Sequence, residues 1–208
     1  MSYRTYLFDL DGVLTDTDYI QYQTICEAIK EILNYDILEV PILVSVFKTT
    51  ITTLEKLQFL KKHLFIDNKI IDIIYKRKKE LADVYFSKLE KDLEKINLMK
   101  YLKNKNYKIA VVTNANKCST TIILKNIGIY QYIDVIITNE DVINKKPSPE
   151  PYLKAINLLK SDINDCIIFE DSEVGLISAK NTGCKYYHIK SYLNVNIDFI
   201  KKIESLNY

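Results

Sequence analysis

Asp9 and Asp11 stand two residues apart where the apolar run Tyr6-Leu7-Phe8 meets Gly12. Two carboxylates so spaced can hold a hard cation, attack an electrophile and move a proton. A carboxylate is a weak nucleophile, yet attack on phosphorus gives an acyl phosphate and splits one hard displacement into two easier ones. The neighbour two positions on can protonate the leaving oxygen and later deprotonate water. On a strand, residues i and i+2 share a face, although Gly12 implies that the chain is already turning. Alone, the pair reads equally well as a solvated Asp-Gly turn.

Three later segments supply what the pair lacks. Thr113-Asn114 follows Lys108-Ile109-Ala110-Val111-Val112, and a hydroxyl with successive N–H groups entering a helix can hold phosphate oxygens. The competing reading is an ordinary helix N-cap. Lys146 lies in Lys145-Lys146-Pro147-Ser148-Pro149-Glu150-Pro151, where prolines stiffen the loop that presents it. A fixed ammonium can neutralise an attacking carboxylate and a phosphoryl oxygen together; the bland alternative is a surface loop in a lysine-rich chain. Glu170-Asp171-Ser172 follows Cys166-Ile167-Ile168-Phe169. An acidic pair is costly to gather near Asp9 without a cation, and Mg²⁺ takes oxygen ligands. Otherwise the pair is an acidic helix cap.

Each of these groups is expected at the C-terminal end of a strand, the edge where open α/β sheets build their sites. Apolar runs rich in β-branched and aromatic residues predict strands over 3–8, 108–112, 135–138, 166–169 and 185–189. Helical stretches are expected over 91–105, 117–126, 150–160 and 173–182, with Gly128 and Gly183 as C-terminal stops for the second and last. This alternation predicts an α/β fold, a parallel Rossmann-like sheet covered by helices on both faces. Residues 18–88 read differently. Tyr22, Ile25, Ile29 and Ile32/Leu33 recur at helical spacing, as do Leu54, Leu57 and Leu60/Lys61. Ile70, Ile74, Leu81 and Val84/Tyr85, running on to Leu89, suggest a further, less regular helix. A helical bundle is therefore expected as an insert at 18–88, between core segments 1–17 and 89–208.

The composition is that of an ordinary globular protein. The chain has 208 residues, 48% hydrophobic and 27% charged, enough for one domain with an insert. A net charge of +2 without asymmetry gives no reason to expect a nucleic acid polymer or a membrane surface as partner. Cys26, Cys118, Cys166 and Cys184 form no Cys-x-x-Cys pair and only His63 and His188 accompany them, against a zinc site or disulfide framework. With no basic-then-apolar leader and no apolar run of about 18 residues, a cytoplasmic or nuclear compartment is expected. The 16 tyrosines read as core and rim residues.

The ordered set resembles the haloacid dehalogenase superfamily, most of whose members are phosphohydrolases. The branch with an α-helical cap between the first two motifs, which includes β-phosphoglucomutase-like and phosphoglycolate-phosphatase-like proteins, is the most similar. The resemblance rests on Phe8-Asp9-Leu10-Asp11-Gly12-Val13-Leu14-Thr15-Asp16-Thr17, Lys146-Pro147-Ser148-Pro149-Glu150-Pro151-Tyr152 and Phe169-Glu170-Asp171-Ser172-Glu173-Val174-Gly175. Val112-Thr113-Asn114 is weaker, with Thr where many relatives have Ser.

The resemblance implies that Asp9 is the nucleophile and a Mg²⁺ ligand. It makes Asp11 the general acid/base, with its backbone carbonyl a second ligand. Asp171 completes the metal contacts, with Glu170 as a direct or water-mediated helper. Thr113, the Asn114 backbone and Lys146 hold the transferring phosphoryl group. Asp11 argues against dehalogenation, because only an oxygen leaving group benefits from a proton donor there. In the mutase branch a cap loop with lysine, glycine and arginine grips a second phosphate. Here Phe47-Lys48-Thr49-Thr50-Ile51-Thr52 offers only Lys48, and Gln21 stands where the mutase pattern has histidine. The expected activity is Mg²⁺-dependent hydrolysis of a small-molecule phosphate ester, in the cytoplasm, by a monomer or weak dimer. Two alternatives stand beside it: a sugar-phosphate mutase, and a non-catalytic phosphate-ligand-binding protein on the same fold.

Overall fold

The computed structural model describes residues 3–49 and 52–205. The chain divides into two compact units, one formed by 1–17 with 89–208 and the other by 18–88.

The first unit is built on five parallel strands: β1 (Thr5–Phe8), β2 (Lys108–Val112), β3 (Val135–Ile137), β4 (Cys166–Glu170) and β5 (Lys185–His188). Their order across the sheet is β3-β2-β1-β4-β5. β1 is central, with Phe8 level with Val111 of β2 and Phe169 of β4. β1 and β4 are buried throughout, as strands covered on both faces must be.

The pleat assigns alternate residues to opposite faces. Leu7, Ala110, Val112, Cys166 and Ile168 pack with Tyr152, Ala155 and Ile156 of a helix at Glu150–Leu158 and Ala179 of another at Glu173–Asn181. Towards the opposite face the rings of Tyr6, Phe8 and Phe169 stack, Phe8 and Phe169 with centroids 4.9 Å apart. Phe199, from a C-terminal helix at Ile197–Ser205, meets Phe169 edge-on at 6.0 Å. Lys95, wholly buried on the helix Leu93–Asn104, donates to the carbonyls of Tyr192 at 2.8 Å and Val195 at 2.9 Å, fastening the segment before that C-terminal helix. Gly128 and Gly183 follow helix ends with φ of +83° and +82°, the left-handed conformation that stops a helix.

The second unit holds helices at Asp18–Leu33, Pro41–Phe47, Thr53–Leu64 and Asn68–Phe86. Ile25, Ile29, Leu43, Phe47, Leu57, Leu60, Ile74 and Leu81 form its core. Thr52 and Glu55 make a reciprocal capping box, and Asp67 caps the next helix through the N–H of Ile70 at 2.9 Å. Leu54 and Val84, expected on buried stripes, are more than half exposed, and the last helix stops before Leu89. Within this unit the Lys48 ammonium stands 6.0 Å from the Tyr22 ring, and Gln21 accepts from Lys78. Thr50 and Ile51, part of the loop compared with the mutase pattern, lie outside the described residues. Among the described residues no helix is long and apolar enough to cross a membrane.

Candidate active site

The two facial rows that run into the Tyr152-bearing helix do not stop at the sheet edge. Leu7 is followed on its own face by Asp9, and Ile168 by Glu170. Each row ends in a carboxylate. The Asp9 N–H still donates to Phe169 O at 3.0 Å, so the ladder holds its backbone while its side chain leaves the sheet. Asp9 is 8% exposed and Glu170 wholly buried.

Lys146 bridges this pair. It comes from the loop between β3 and the helix Glu150–Leu158, rather than from a strand end as expected. Its ammonium donates to Asp9 Oδ1 at 2.6 Å, to Val112 O at 2.7 Å and to Glu170 Oε1. Those three acceptors match the three donors of a lysine ammonium. Burial opposes the charge on Lys146, but Asp9 and Glu170 outweigh it and raise its pKa.

The Lys146 loop is fastened at several points. The Glu150 carboxylate accepts from the N–H groups of Ile143 at 2.8 Å and Asn144 at 2.9 Å. Ser178 Oγ donates to Ser148 O at 2.6 Å. Asn114 pairs with the Lys146 peptide in both directions, donating from Nδ2 to its O and accepting at Oδ1 from its N–H, each at 3.2 Å. Thr113 is buried at the end of β2, where its N–H extends the ladder to Ile137 O at 2.9 Å and its Oγ1 accepts from the Ala115 N–H at 3.0 Å. The capping alternatives fall to neighbours. Asn116 caps the helix Lys117–Asn126, and Ser172 caps Glu173–Asn181.

Asp11 sits in the turn after β1, half-buried, and its carboxylate accepts from the buried Thr17 hydroxyl. Gly12 N–H closes that turn on Thr15 O at 2.7 Å. Gly12 has φ +76°, and a Cβ there would overlap the Asp171 carboxylate. A Cβ at Gly175 would likewise overlap Glu170. The two glycines thus leave room for the two adjacent acids.

Residues 6–189 match the model of the family described as haloacid dehalogenase-like hydrolase. The chain belongs to that family. A phosphorylated carbohydrates phosphatase from Thermotoga maritima is 28% identical over 197 residues, covering 90% of this chain and 86% of that protein. Pyrophosphatase PpaX from Bacillus cereus is 24% identical over 185 residues, 89% of this chain and 82% of that one. The crystal structure of a β-phosphoglucomutase from Clostridium difficile shares the fold, with a TM-score of 0.71 at 18% identity over 99% of this chain and 98% of that one.

The family uses Mg²⁺, and the donor set here fits such a cation. Among the described residues, carboxylate oxygens of Asp9, Glu170 and Asp171 lie within 4.8 Å of one another. Three negative charges against the single ammonium of Lys146 leave two unbalanced, the charge of one divalent ion. Burial, before the neighbouring charges, shifts these acids. Burial raises the pKa of Asp9 well above the carboxylate range; Lys146 opposes the shift and Glu170 adds to it. Burial and the neighbouring Glu170 push Asp171 up to about 6. Among the described residues the Asp11 side chain is not in this group.

Two residues of this neighbourhood escaped the sequence reading. Thr17 positions Asp11, and Tyr152 donates to Glu170 Oε1 at 2.6 Å. Both lie inside the motifs that carry the family resemblance, but neither side chain suggests the chemistry by its type.

Proposed function

We propose that the protein is a Mg²⁺-dependent phosphatase that hydrolyses a small phosphomonoester through an aspartyl phosphate. The observation that carries the reading is the Lys146 ammonium bridging Asp9 and Glu170 beside Asp171, a charge arrangement completed by a divalent cation and a phosphoryl group. Asp9 Oδ attacks phosphorus as the ester oxygen leaves with a proton from Asp11. Asp11 then takes a proton from water, which attacks the acyl phosphate, releases inorganic phosphate and restores Asp9. Lys146 and the Thr113–Asn114 turn hold the phosphoryl oxygens, Lys146 also damping the negative charge on the attacking carboxylate. Asp9 and Asp171 would hold Mg²⁺ through their carboxylates and Asp11 through its backbone carbonyl, with Glu170 as a direct or water-mediated helper. Bound there, the ion would neutralise the charge that gathers between carboxylates and phosphoryl oxygens.

Residues 18–88 are assigned the role of a cap that selects the leaving group. The setting is the cytoplasm, with a monomer or weak dimer acting on a small-molecule ester. Relatives named as a carbohydrate phosphatase and as a pyrophosphatase favour two substrate classes for the same steps: sugar phosphates, and pyrophosphate with phosphate as the leaving group. The test is phosphate release across sugar phosphates, nucleotides, phosphorylated acids and pyrophosphate, with Mg²⁺ and with chelator. Release from at least one class, abolished by chelator, is expected. Silence across the whole panel would favour the non-catalytic alternative, and exchange of hexose 1- and 6-phosphates dependent on a bisphosphate would favour the mutase.

A further inference from the structure

Tyr152 has more polar contact than a core tyrosine needs. Its ring is wholly buried among Leu7, Ala110, Ile137 and Ile168, a place phenylalanine would fill as well. Its hydroxyl reaches out of that cluster to donate to Glu170 Oε1 at 2.6 Å, the same oxygen that accepts from Lys146. The Lys146 ammonium also lies 4.9 Å from the Tyr152 ring centroid. Burial, then the charges of Glu170 and Asp9, hold the Tyr152 hydroxyl protonated, so it acts only as a donor.

Apart from Tyr152 and Lys146, Glu170 has one further side-chain contact among the described residues. Its Oε2 faces Ser172 Oγ at 3.4 Å, the long end of a hydrogen bond. Without the Tyr152 bond, Oε1 is held by the Lys146 ammonium alone, and any shift of the carboxylate towards the cation site draws that ammonium from Asp9 Oδ1. The short bond from Tyr152 opposes that movement.

We propose that Tyr152 is a positioning residue: through Glu170 it fixes the Lys146 ammonium on the line between Asp9 and the phosphoryl group. The inference rests on the reading of Lys146 given above. It assigns a task to the hydroxyl, separate from the packing task of the ring, and Tyr152→Phe removes only the first.

The test is a double-mutant cycle read with p-nitrophenyl phosphate at saturating Mg²⁺. Tyr152→Phe should lower kcat about tenfold, the scale of one hydrogen bond to a charged group, with KM changed less than about twofold. Lys146→Met alone should cost on the order of a thousandfold. Added to Lys146→Met, Tyr152→Phe should then change nothing further, because residues acting through one group are not additive. A further tenfold loss in the double variant would overturn the proposal and leave the reading of Lys146 standing. An unchanged kcat in Lys146→Met would instead remove that reading, and the proposal with it. If Lys146→Met does not fold, Lys146→Gln, which also removes the charge, serves, and the cycle can be repeated on inorganic phosphate affinity by titration calorimetry. There too, additivity contradicts the proposal.

Discussion

The side-chain amide of Asn114 and the peptide of Lys146 are bonded in both directions, Nδ2 to O and N–H to Oδ1, each at 3.2 Å. One amide therefore fixes the backbone from which the lysine reaches Asp9. Together with the Tyr152–Glu170 contact, this means that Lys146 is held at its root and at its tip.

Asn114→Ala removes both bonds. The expected result is a loss of about tenfold in kcat/KM and a fall in Tm of about 3–6 °C, for roughly 1–2 kcal/mol in a chain of this size. Asn114→Asp keeps the acceptor for the Lys146 N–H and loses the donor to its carbonyl, so it should not restore activity. Steady-state kinetics and thermal melts of both variants check this; wild-type kinetics in Asn114→Ala would show that the clamp is idle.

Gly12→Ala meets two obstacles at once, a positive φ of +76° and the Asp171 carboxylate in the space its Cβ would take. The folded protein should survive, since the turn is at the sheet edge, but Asp171 must move. Mg²⁺-dependent activity should fall by more than about a hundredfold, the scale of a misplaced catalytic group. The increase in Tm on adding Mg²⁺ should shrink with it.

The raised pKa of Asp171 sets the sign of a pH dependence. Burial and Glu170 push its pKa up to about 6, above that of an unfolded aspartate. A raised carboxylate pKa means that the folded, metal-free protein binds the proton more tightly than the unfolded chain. Its contribution to stability is then present below the unfolded pKa and is lost as pH rises towards about 6. Mg²⁺ competes with that proton. At a fixed Mg²⁺ concentration the metal-induced rise in Tm should be small at about pH 5 and grow as pH passes through about 6. A rise independent of pH would contradict it.

Lys95 separates stability from catalysis. Lys95→Met would leave the carbonyls of Tyr192 and Val195 without their buried donor. Tyr192 O keeps the Val195 N–H as a donor at 3.1 Å, so the main loss falls on Val195 O, and Tm should drop by about 3–6 °C with kcat at low temperature unchanged. A fall in kcat without a fall in Tm would contradict this purely structural role.

The sheet was legible because its strands carry apolar β-branched and aromatic runs, and the stops at Gly128 and Gly183 follow from glycine's freedom at positive φ. The helix Pro41–Phe47 was not, because a short run rich in valine and isoleucine has no clear helical period. The C-terminal helix is hard to see in the sequence because it is short and follows an irregular segment. Within the site, the acids announce themselves by type. The prolines point to the Lys146 ammonium, but its three acceptors, just after β1 and within β2 and β4, come together only once those strands are side by side. Asn114 was read for its backbone, and its side-chain partner lies 32 residues away. Tyr152 looks like core from its sequence, and most of it is core; only the direction of its hydroxyl gives it a second part.

Asp9→Asn tests the central claim most directly. Asparagine nearly preserves the shape and can still accept from Lys146, but it cannot attack phosphorus to form an acyl phosphate. The purified variant, shown to be folded by its melt, should release p-nitrophenol from the aryl phosphate no faster than a protein-free blank with Mg²⁺. Turnover at a substantial fraction of the wild-type rate would contradict the assignment of Asp9 as nucleophile, and with it the aspartyl phosphate.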